Sequence, residues 1–481
     1  MACSKTKHEQ EAQKNLKQMN KIIFSILTLS WVAMQANAQV GGTLPTPPTP
    51  PAPQVEAYSN STSTHSSKST VTTRTRTTKN GKTEVFTESY TTSEPQQGQY
   101  DDPQKSKSFS KSFGIGRGDK VSISNIYGNI IFKTWDRSEV KVDADIRAFA
   151  NSDDEAQKLI DNVSILASKS GDEASFKTQM EDKNGNWFNS NRNGKRSRRE
   201  IKIFMTVYLP SNVALTASQQ YGNVELPDFS GPTSLKVQYG KITTGDLNNA
   251  NNFISAQYTT VNLQNVNKAT IKQQYGSGLT VASVGDLNLN AQYATVRIGD
   301  VKRNASIRQQ YGSGLSITSV GGNLDLDAQY ASVKVGAIKG DAGIKVQYGS
   351  GLNIEQVDNL SLTAQYAAVR VGRLTGNVTA KAQYGSRFSV EKIEASSKIV
   401  NIDAEYLNVN LGFASNYGGS FNVDTQYGSL KTGEGISARK VGDDDDRGSS
   451  SRKDYTGTIG RGGASNVKVS VRYNSATLRV N

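Results

Sequence analysis

The sequence predicts an all-β fold, a right-handed parallel β-solenoid of ~18-residue coils with a small helical N-terminal cap. Three observations predict it: a Gln-Tyr pair that recurs at near-constant spacing, period-two alternation on both sides of each pair, and units too short to hold a helix. The pair recurs at Tyr221, Tyr239, Tyr258, Tyr275, Tyr293, Tyr311, Tyr330, Tyr348, Tyr366 and Tyr384, spaced 17 to 19 residues apart. Glu405-Tyr406 and Gln426-Tyr427 continue the series at spacings of 22 and 21. A fixed period of this length is the mark of a solenoid. In one unit Leu360, Leu362 and Ala364 alternate into Tyr366, Val369 and Val371 alternate out of it, and Arg373 to Asn377 supplies a turn. Alternation of this kind means strands with one buried face. Two strands fill the unit, so successive units must stack as parallel strands, whose crossovers are right-handed by default. A left-handed coil would need a hexapeptide pattern that is absent. A 36-residue coil of four strands stays open as an alternative.

A second, finer period runs through the repeats. Units with Gly-Ser-Gly after Tyr275, Tyr311 and Tyr348 alternate with units that have Ala or Thr after Tyr258, Tyr293, Tyr330 and Tyr366. In the first kind the next apolar positions stand four and six past the tyrosine (Leu352, Ile354), and in the second three and five past it (Val369, Val371). One extra residue would turn every later side chain to the other face, so a bulge is expected at the Gly-Ser-Gly corner. Charge follows the same rhythm: Lys236, Lys272, Arg308, Lys345 and Lys381 lie three before the tyrosine in alternate units, with Ser255, Asn290, Asp327 and Thr363 between them. Stacked strands lie ~4.8 Å apart, and like charges directly opposite one another are destabilising. The alternation therefore favours the shorter coil.

Each tyrosine shares parity with the apolar residues two and four before it, which places its ring inward as part of a stacked ladder. The competing reading is an exposed aromatic stripe for sugar stacking or surface adhesion. The glutamines beside the tyrosines are expected to form an amide ladder along the stack.

The chain has 481 residues, a net charge of +13 and 35% hydrophobic content, enough for several domains or one elongated array. Lys21, the apolar run Ile22 to Met34 and Ala36-Asn37-Ala38 read as a secretory leader over 1–38, with an internal start at Met19. The run is too short to span a bilayer, and no other segment reaches membrane-spanning length. Cys3 and His8 leave with the leader, and no cysteine follows to carry a lipid anchor. His65 lies in low-complexity sequence, so the folded part lacks the usual zinc ligands, thiol nucleophile and neutral-pH base. No cofactor or metal site is expected. Residues 39–112 read as a tether: Pro45 to Pro53 favours a polyproline II spacer, and the Ser/Thr-rich stretch beyond has too little apolar surface to order itself. A transient strand over Val71 to Thr77 and O-glycosylation of the segment stay open.

Residues 113–210 are expected to hold early coils, among them Val121 to Phe132 and Val140 to Ala144, and a helix over 152–167. Ser152-Asp153-Asp154-Glu155 is a capping box, and Ala156, Leu159, Ile160 and Val163 share one helical face. That helix is expected to cover the open end of the solenoid. The Gln-Tyr array occupies 211–432, a flexible charged loop 433–464, and a last coil around Tyr473 465–481. The basic loop Arg192, Lys195, Arg196, Arg198 and Arg199 is a candidate anion site, although charge runs are more often solvated. Asp443 to Asp446 lacks calcium-loop spacing, and Gly114 to Gly118 is not followed by the helix a nucleotide site needs.

Tyr127-Gly128-Asn129-Ile130, Trp135-Asp136 and Tyr208-Leu209-Pro210, followed by Gly-punctuated strands, resemble the bacterial "putative adhesin" β-repeat family over about Phe113 to Asn481. That family commonly carries Ser-Gly where this chain has Gln-Tyr-Gly, so the tyrosines are a departure. The resemblance implies a β-solenoid at the cell envelope, with no established ligand and no catalytic residues. The expectation is a secreted, non-catalytic binder of polysaccharide or other cell-surface components. A structural or self-associating envelope protein is the alternative. A polysaccharide-degrading enzyme would need paired carboxylates, for which Asp325 and Asp327 are the nearest candidates. Nucleic acid is not expected for an exported chain.

Overall fold

The computed structural model describes residues 104–181, 199–441 and 451–481, together with the backbone of 76–77, 83–84, 90–91, 191–192 and 195–196. The leader, most of the tether and Asp443 to Asp446 lie outside the described residues. Within them the chain is a β-solenoid, and one helix is described.

A central coil shows how the sequence makes the shape. Strand Leu324–Gln329 buries Leu324, Leu326 and Ala328, and Tyr330 ends it at a corner. Strand Val333–Gln347 then buries Val333 and Val335; the inward step lengthens to Ile338, so the chain bends there before its next turn. The next coil repeats this with Ala342, Ile344 and Val346, then Leu352, Ile354 and Val357. Each strand pairs in parallel with its equivalent in the next unit, Leu324 opposite Ala342 and Val333 opposite Leu352. The repeat is thus one unit per coil, and the four-strand alternative is excluded. Sequence-adjacent apolar residues become a continuous interior of stacked Leu, Ile, Val and Ala, each removing apolar area from water at roughly 25 cal/mol per Å².

The charge alternation lies in register: Lys272, Asn290, Arg308, Asp327, Lys345, Thr363, Lys381 and Asp403 form one outward row. The expected bulge is not found within a ladder. Gln310 pairs with Gln329 and Leu315 with Val333, so the extra residue of the Gly-Ser-Gly units is absorbed between strands, in the corner itself. Glycine allows this by its missing side chain. A Cβ on Gly312 would stand 1.9 Å from Gln309 Nε2 and 2.5 Å from the carbonyl oxygen of Ala294 in the preceding coil.

The N-terminal block departs from expectation in two places. Strand Gln104–Gly114 runs antiparallel to Glu139–Ala150, so ordered chain begins before 113 and inside the expected tether. Backbone pairing reaches further, with Tyr90 opposite Lys107 and Arg76 opposite Glu84. The helix spans Asp153–Asp161, with Ser152 Oγ accepting the Glu155 N–H at 3.3 Å, and does not continue to 167. Val163–Ser170 instead forms a hairpin with Glu173–Met180 around Gly171 at φ +57. Alternation of Val163 and Ile165, with a sheet edge available, outweighs the helical spacing of Val163. The helix packs on the sheet through Ala156, Leu159 and Ile160. The first coil's open edges are closed by strands: Glu173–Met180 pairs with Lys120–Ile126, and Arg199–Leu209 with Ile130–Thr134.

The C-terminal end reorders the stack. Ser465–Arg472 pairs on one side with Ile399–Glu405 and on the other with Gly419–Gln426. Ala476–Val480 is likewise held between Asn408–Phe413 and Leu430–Thr432. The coil that comes last in the chain is therefore inserted one place from the end, and the coil of Tyr427 is outermost. The segment expected to be a loop over 433–464 is largely a hairpin, Ile436–Val441 with Arg452–Ile459, whose second strand covers Gly419–Gln426 antiparallel. An antiparallel strand at that edge leaves no parallel coil position for further stacking.

Candidate functional site: the tyrosine edge

Every described non-glycine residue with positive φ is a tyrosine of the repeat: Tyr127, the ten between Tyr221 and Tyr384, Tyr406, Tyr427 and Tyr473, all between +51° and +60°. L-residues visit this left-handed region at a cost of roughly 1–2 kcal/mol. The conformation overturns the inward reading of the rings. Alternation holds through Ala328 (inward) and Gln329 (outward), but the left-handed turn at Tyr330 breaks it and sends that side chain outward as well. The rings of Tyr221, Tyr275, Tyr293, Tyr311, Tyr330, Tyr348, Tyr366, Tyr384, Tyr406, Tyr427 and Tyr473 are 36% to 60% exposed.

The rings then stack on one another. Consecutive centroids lie 4.5 to 5.2 Å apart with interplanar angles of 1° to 15°, from Tyr127 through Tyr406 to Tyr473 and finally Tyr427. Each contact is worth about 0.5–1.5 kcal/mol beyond the area it buries, which offsets the backbone cost of the corner. At the ~4.8 Å spacing of stacked strands the row is on the order of 60 Å long. Removal from water raises the Tyr127 hydroxyl above the usual phenol range, with the neighbouring Tyr221 adding to it. Tyr406 is raised in the same way, by desolvation first and then by Tyr473.

The expected amide ladder lies directly beside the rings. Gln220 Nε2 donates to Gln238 Oε1 at 3.3 Å, Gln292 to Gln310 at 3.0 Å, Gln347 to Gln365 at 2.8 Å, and Gln383 to Glu405 at 3.0 Å. On the other flank, hydroxyls two residues past the tyrosines meet across coils, Thr260 with Ser277 and Thr295 with Ser313. A second set of glutamines, one residue earlier, is invisible to the repeat count. Gln273 and Gln309 are fully buried and donate to the corner carbonyls of Thr259 and Ala294 at 2.6 and 2.8 Å. The signal for them was Gln-Gln-Tyr in place of Ala-Gln-Tyr or Val-Gln-Tyr.

The other end of the same strand carries an Asx ladder, also missed. Asn304 Oδ1 accepts the Asn323 N–H at 3.0 Å, Asn323 Oδ1 the Asp341 N–H at 3.0 Å, and Asn359 Oδ1 the Asn377 N–H at 2.8 Å. Its sequence trace is Asp or Asn at 286, 304, 323, 341, 359 and 377. At Asp286 desolvation opposes ionisation, but the Arg303 guanidinium at 2.7 Å and the Asn304 N–H outweigh it, and the carboxyl stays below the usual range.

The remaining candidates do not gather here. Asp325 and Asp327 face outward on one strand, and Asp327 is 3.5 Å from Arg308. They border two shallow troughs of about 690 and 550 Å³ on that face. Of the basic loop, Arg199 opens the strand Arg199–Leu209 opposite Ala150; Arg198 and the side chains of Arg192, Lys195 and Arg196 lie outside the described residues.

No family model matches the chain, and no curated protein does. Among solved structures, a "putative cell adhesion protein" from Clostridium sporogenes is 6% identical, covering 78% of this chain and 100% of its own, with a TM-score of 0.16. A "putative adhesin" from Parabacteroides distasonis is 11% identical over 61% of this chain and 96% of its own, TM-score 0.22. One from Bacteroides fragilis is 9% identical over 78% and 97%, TM-score 0.13. At these TM-scores the likeness carries no assignment.

Proposed function

We propose that the protein is an exported, non-catalytic, adhesin-like binder of polysaccharide or other cell-surface components, and that the tyrosine edge is its binding face. The observation that carries this reading is the stacked row of rings, exposed without a break from Tyr275 through Tyr384 and Tyr406 to Tyr473 and Tyr427. Soluble proteins rarely leave so long an aromatic surface without a partner, and a contiguous stripe of this kind marks an interaction site. Aromatic side chains with a polar tip are also suited to surfaces that stay wet when bound. The leader-like 1–38 supports export. The absence of cysteine and histidine from the folded part, and the pairing of Asp327 with Arg308, support a role without chemistry.

The test is retention of the full chain on whole bacterial cells and on an array of polysaccharides. The expected result is retention that disappears when central tyrosines are replaced by asparagine, a residue that tolerates the left-handed corner. Absence of retention on every surface, together with cleavage of a polymer substrate, would overturn the reading. Concentration-dependent assembly without retention would assign the row to contacts between copies.

A further inference from the structure

We infer that the tyrosine edge takes an uncharged, extended, hydroxyl-bearing polymer of the β-1,4-linked glycan type. It would lie along the solenoid axis with one sugar per coil, against the edges and hydroxyls of the rings. The inference rests on the binding reading above and gives it a ligand class.

The first argument is occlusion. Aromatic residues ordinarily hold a sugar by offering a ring face. Here the faces are covered by neighbouring rings at 4.5 to 5.2 Å, nearly parallel. What remains accessible along the row is a line of ring edges tipped by phenol hydroxyls. A ligand must therefore run along the row and find hydrogen-bonding partners there.

The second argument is charge. From Gln257 to Tyr384 the edge consists of three parallel rows: the glutamines, the tyrosines, and a hydroxyl row formed by Thr260, Ser277, Thr295, Ser313, Ser332 and Ser350. None of them is ionised at neutral pH. Each bridging amide uses one N–H and one acceptor site in its ladder, leaving one of each free, and each phenol can both donate and accept. Charged side chains begin only outside the strip. The row of Lys272, Arg308 and Lys345 lies on one side of it, and Arg297, Lys334 and Arg370 on the other. On a basic chain, this arrangement leaves the strip suited to a neutral ligand with many hydroxyls, and offers an anionic polymer no partner within it.

The third argument is spacing. The set of free groups recurs once per coil, at ~4.8 Å. A peptide strand laid along the axis advances ~3.3 Å per residue, so its residues cannot fall one to a coil. An extended β-1,4-linked pyranose chain advances one ring over close to one coil and turns alternate rings over, so every second sugar meets equivalent groups two coils apart. A helical α-1,4 chain curves away from a straight row. Many weak contacts in register then add as linked sites do, and binding should rise steeply with chain length.

The experiment measures binding of the full chain to β-1,4-glucan oligomers of increasing length, to α-1,4-glucan oligomers of equal length, and to insoluble cellulose and chitin, at low and high salt. The variant replaces Tyr293, Tyr311, Tyr330 and Tyr348 with phenylalanine, which keeps the stack and removes four hydroxyls; its melting temperature checks that it folds. The inference expects β-1,4 oligomers to gain affinity with length, α-1,4 oligomers to bind at least about tenfold more weakly, little dependence on salt, and about tenfold loss in the variant. Equal binding of the two linkages, salt-dependent binding, or an unaffected variant would overturn it while leaving a glycan-binding protein in place. If neither whole cells nor any polysaccharide on the array retains the chain, this inference and the functional reading fail together.

Discussion

Strand Leu324–Gln329 ends in two ladders of opposite character, and the contrast separates what holds the solenoid together from what it presents. At its start, Asn323 turns its carboxamide back onto the backbone: the oxygen accepts the Asp341 N–H of the next coil, and the Asn323 N–H is itself held by Asn304. At its end, Tyr330 turns away from the backbone, stacks on Tyr311 and Tyr348, and stays 44% exposed. The first ladder is consumed by the fold. The second is partly left over, and a group left over at every coil is what a repetitive ligand can use.

The largest expected effect comes from crowding the tyrosine corner from behind. Gly312→Ala places a methyl against Gln309 and the Ala294 carbonyl, and should lower stability by about 1–3 kcal/mol. Gly343→Ala, midway along a strand and 4.0 Å from the nearest atom, should be neutral or slightly stabilising. Denaturant unfolding of the pair measures the difference; an equal cost at both positions would remove the close approach of coils as the reason for glycine at the corner.

Next comes the Asx end. Asn323→Ala withdraws the acceptor of the Asp341 N–H and should cost about 1 kcal/mol, with polysaccharide retention unchanged. Tyr330→Phe should do the converse, changing stability by less than about 0.5 kcal/mol while weakening retention. If Asn323→Ala abolished retention at full stability, the division between the two edges would be wrong.

The two edges should also yield at opposite ends of the pH scale. Tyr127 and Tyr406 are raised in the folded state, so their contribution is fully present below the ordinary phenol value and is lost as pH climbs through the folded one. Asp286 is lowered, so its contribution is present above the ordinary carboxyl value and is lost as pH falls through the folded one. Melting temperature followed with pH should decline on both flanks, with the Asp286→Asn variant flattening only the acid side. Loss of the acid flank in a Tyr127→Phe variant would contradict the assignment.

Much of this was legible in order along the chain. Period-two alternation located the strands around Tyr366, the recurring pair counted the coils, and the lysine rhythm set the register of neighbours, because each of these is a local or nearest-neighbour rule. Other features were not legible. Val163 satisfied helical spacing and strand alternation at once, and only the partner strand Glu173–Met180 decided between them. The buried Gln273 and Gln309 looked like the glutamines after them, since their partners are carbonyls of the preceding coil.

The sequence by itself determined the period, the buried face and the alternation of charge along the outward row. It could not determine which way the rings point, because a left-handed φ at one residue cancels the parity argument and depends on the coils above and below. Nor could it determine the order of stacking at the C-terminal end. Coils with the same inward pattern fit one another in any order, and only the hairpin of 436–459, closing over Gly419–Gln426, leaves the coil of Tyr473 its place beside that of Tyr406.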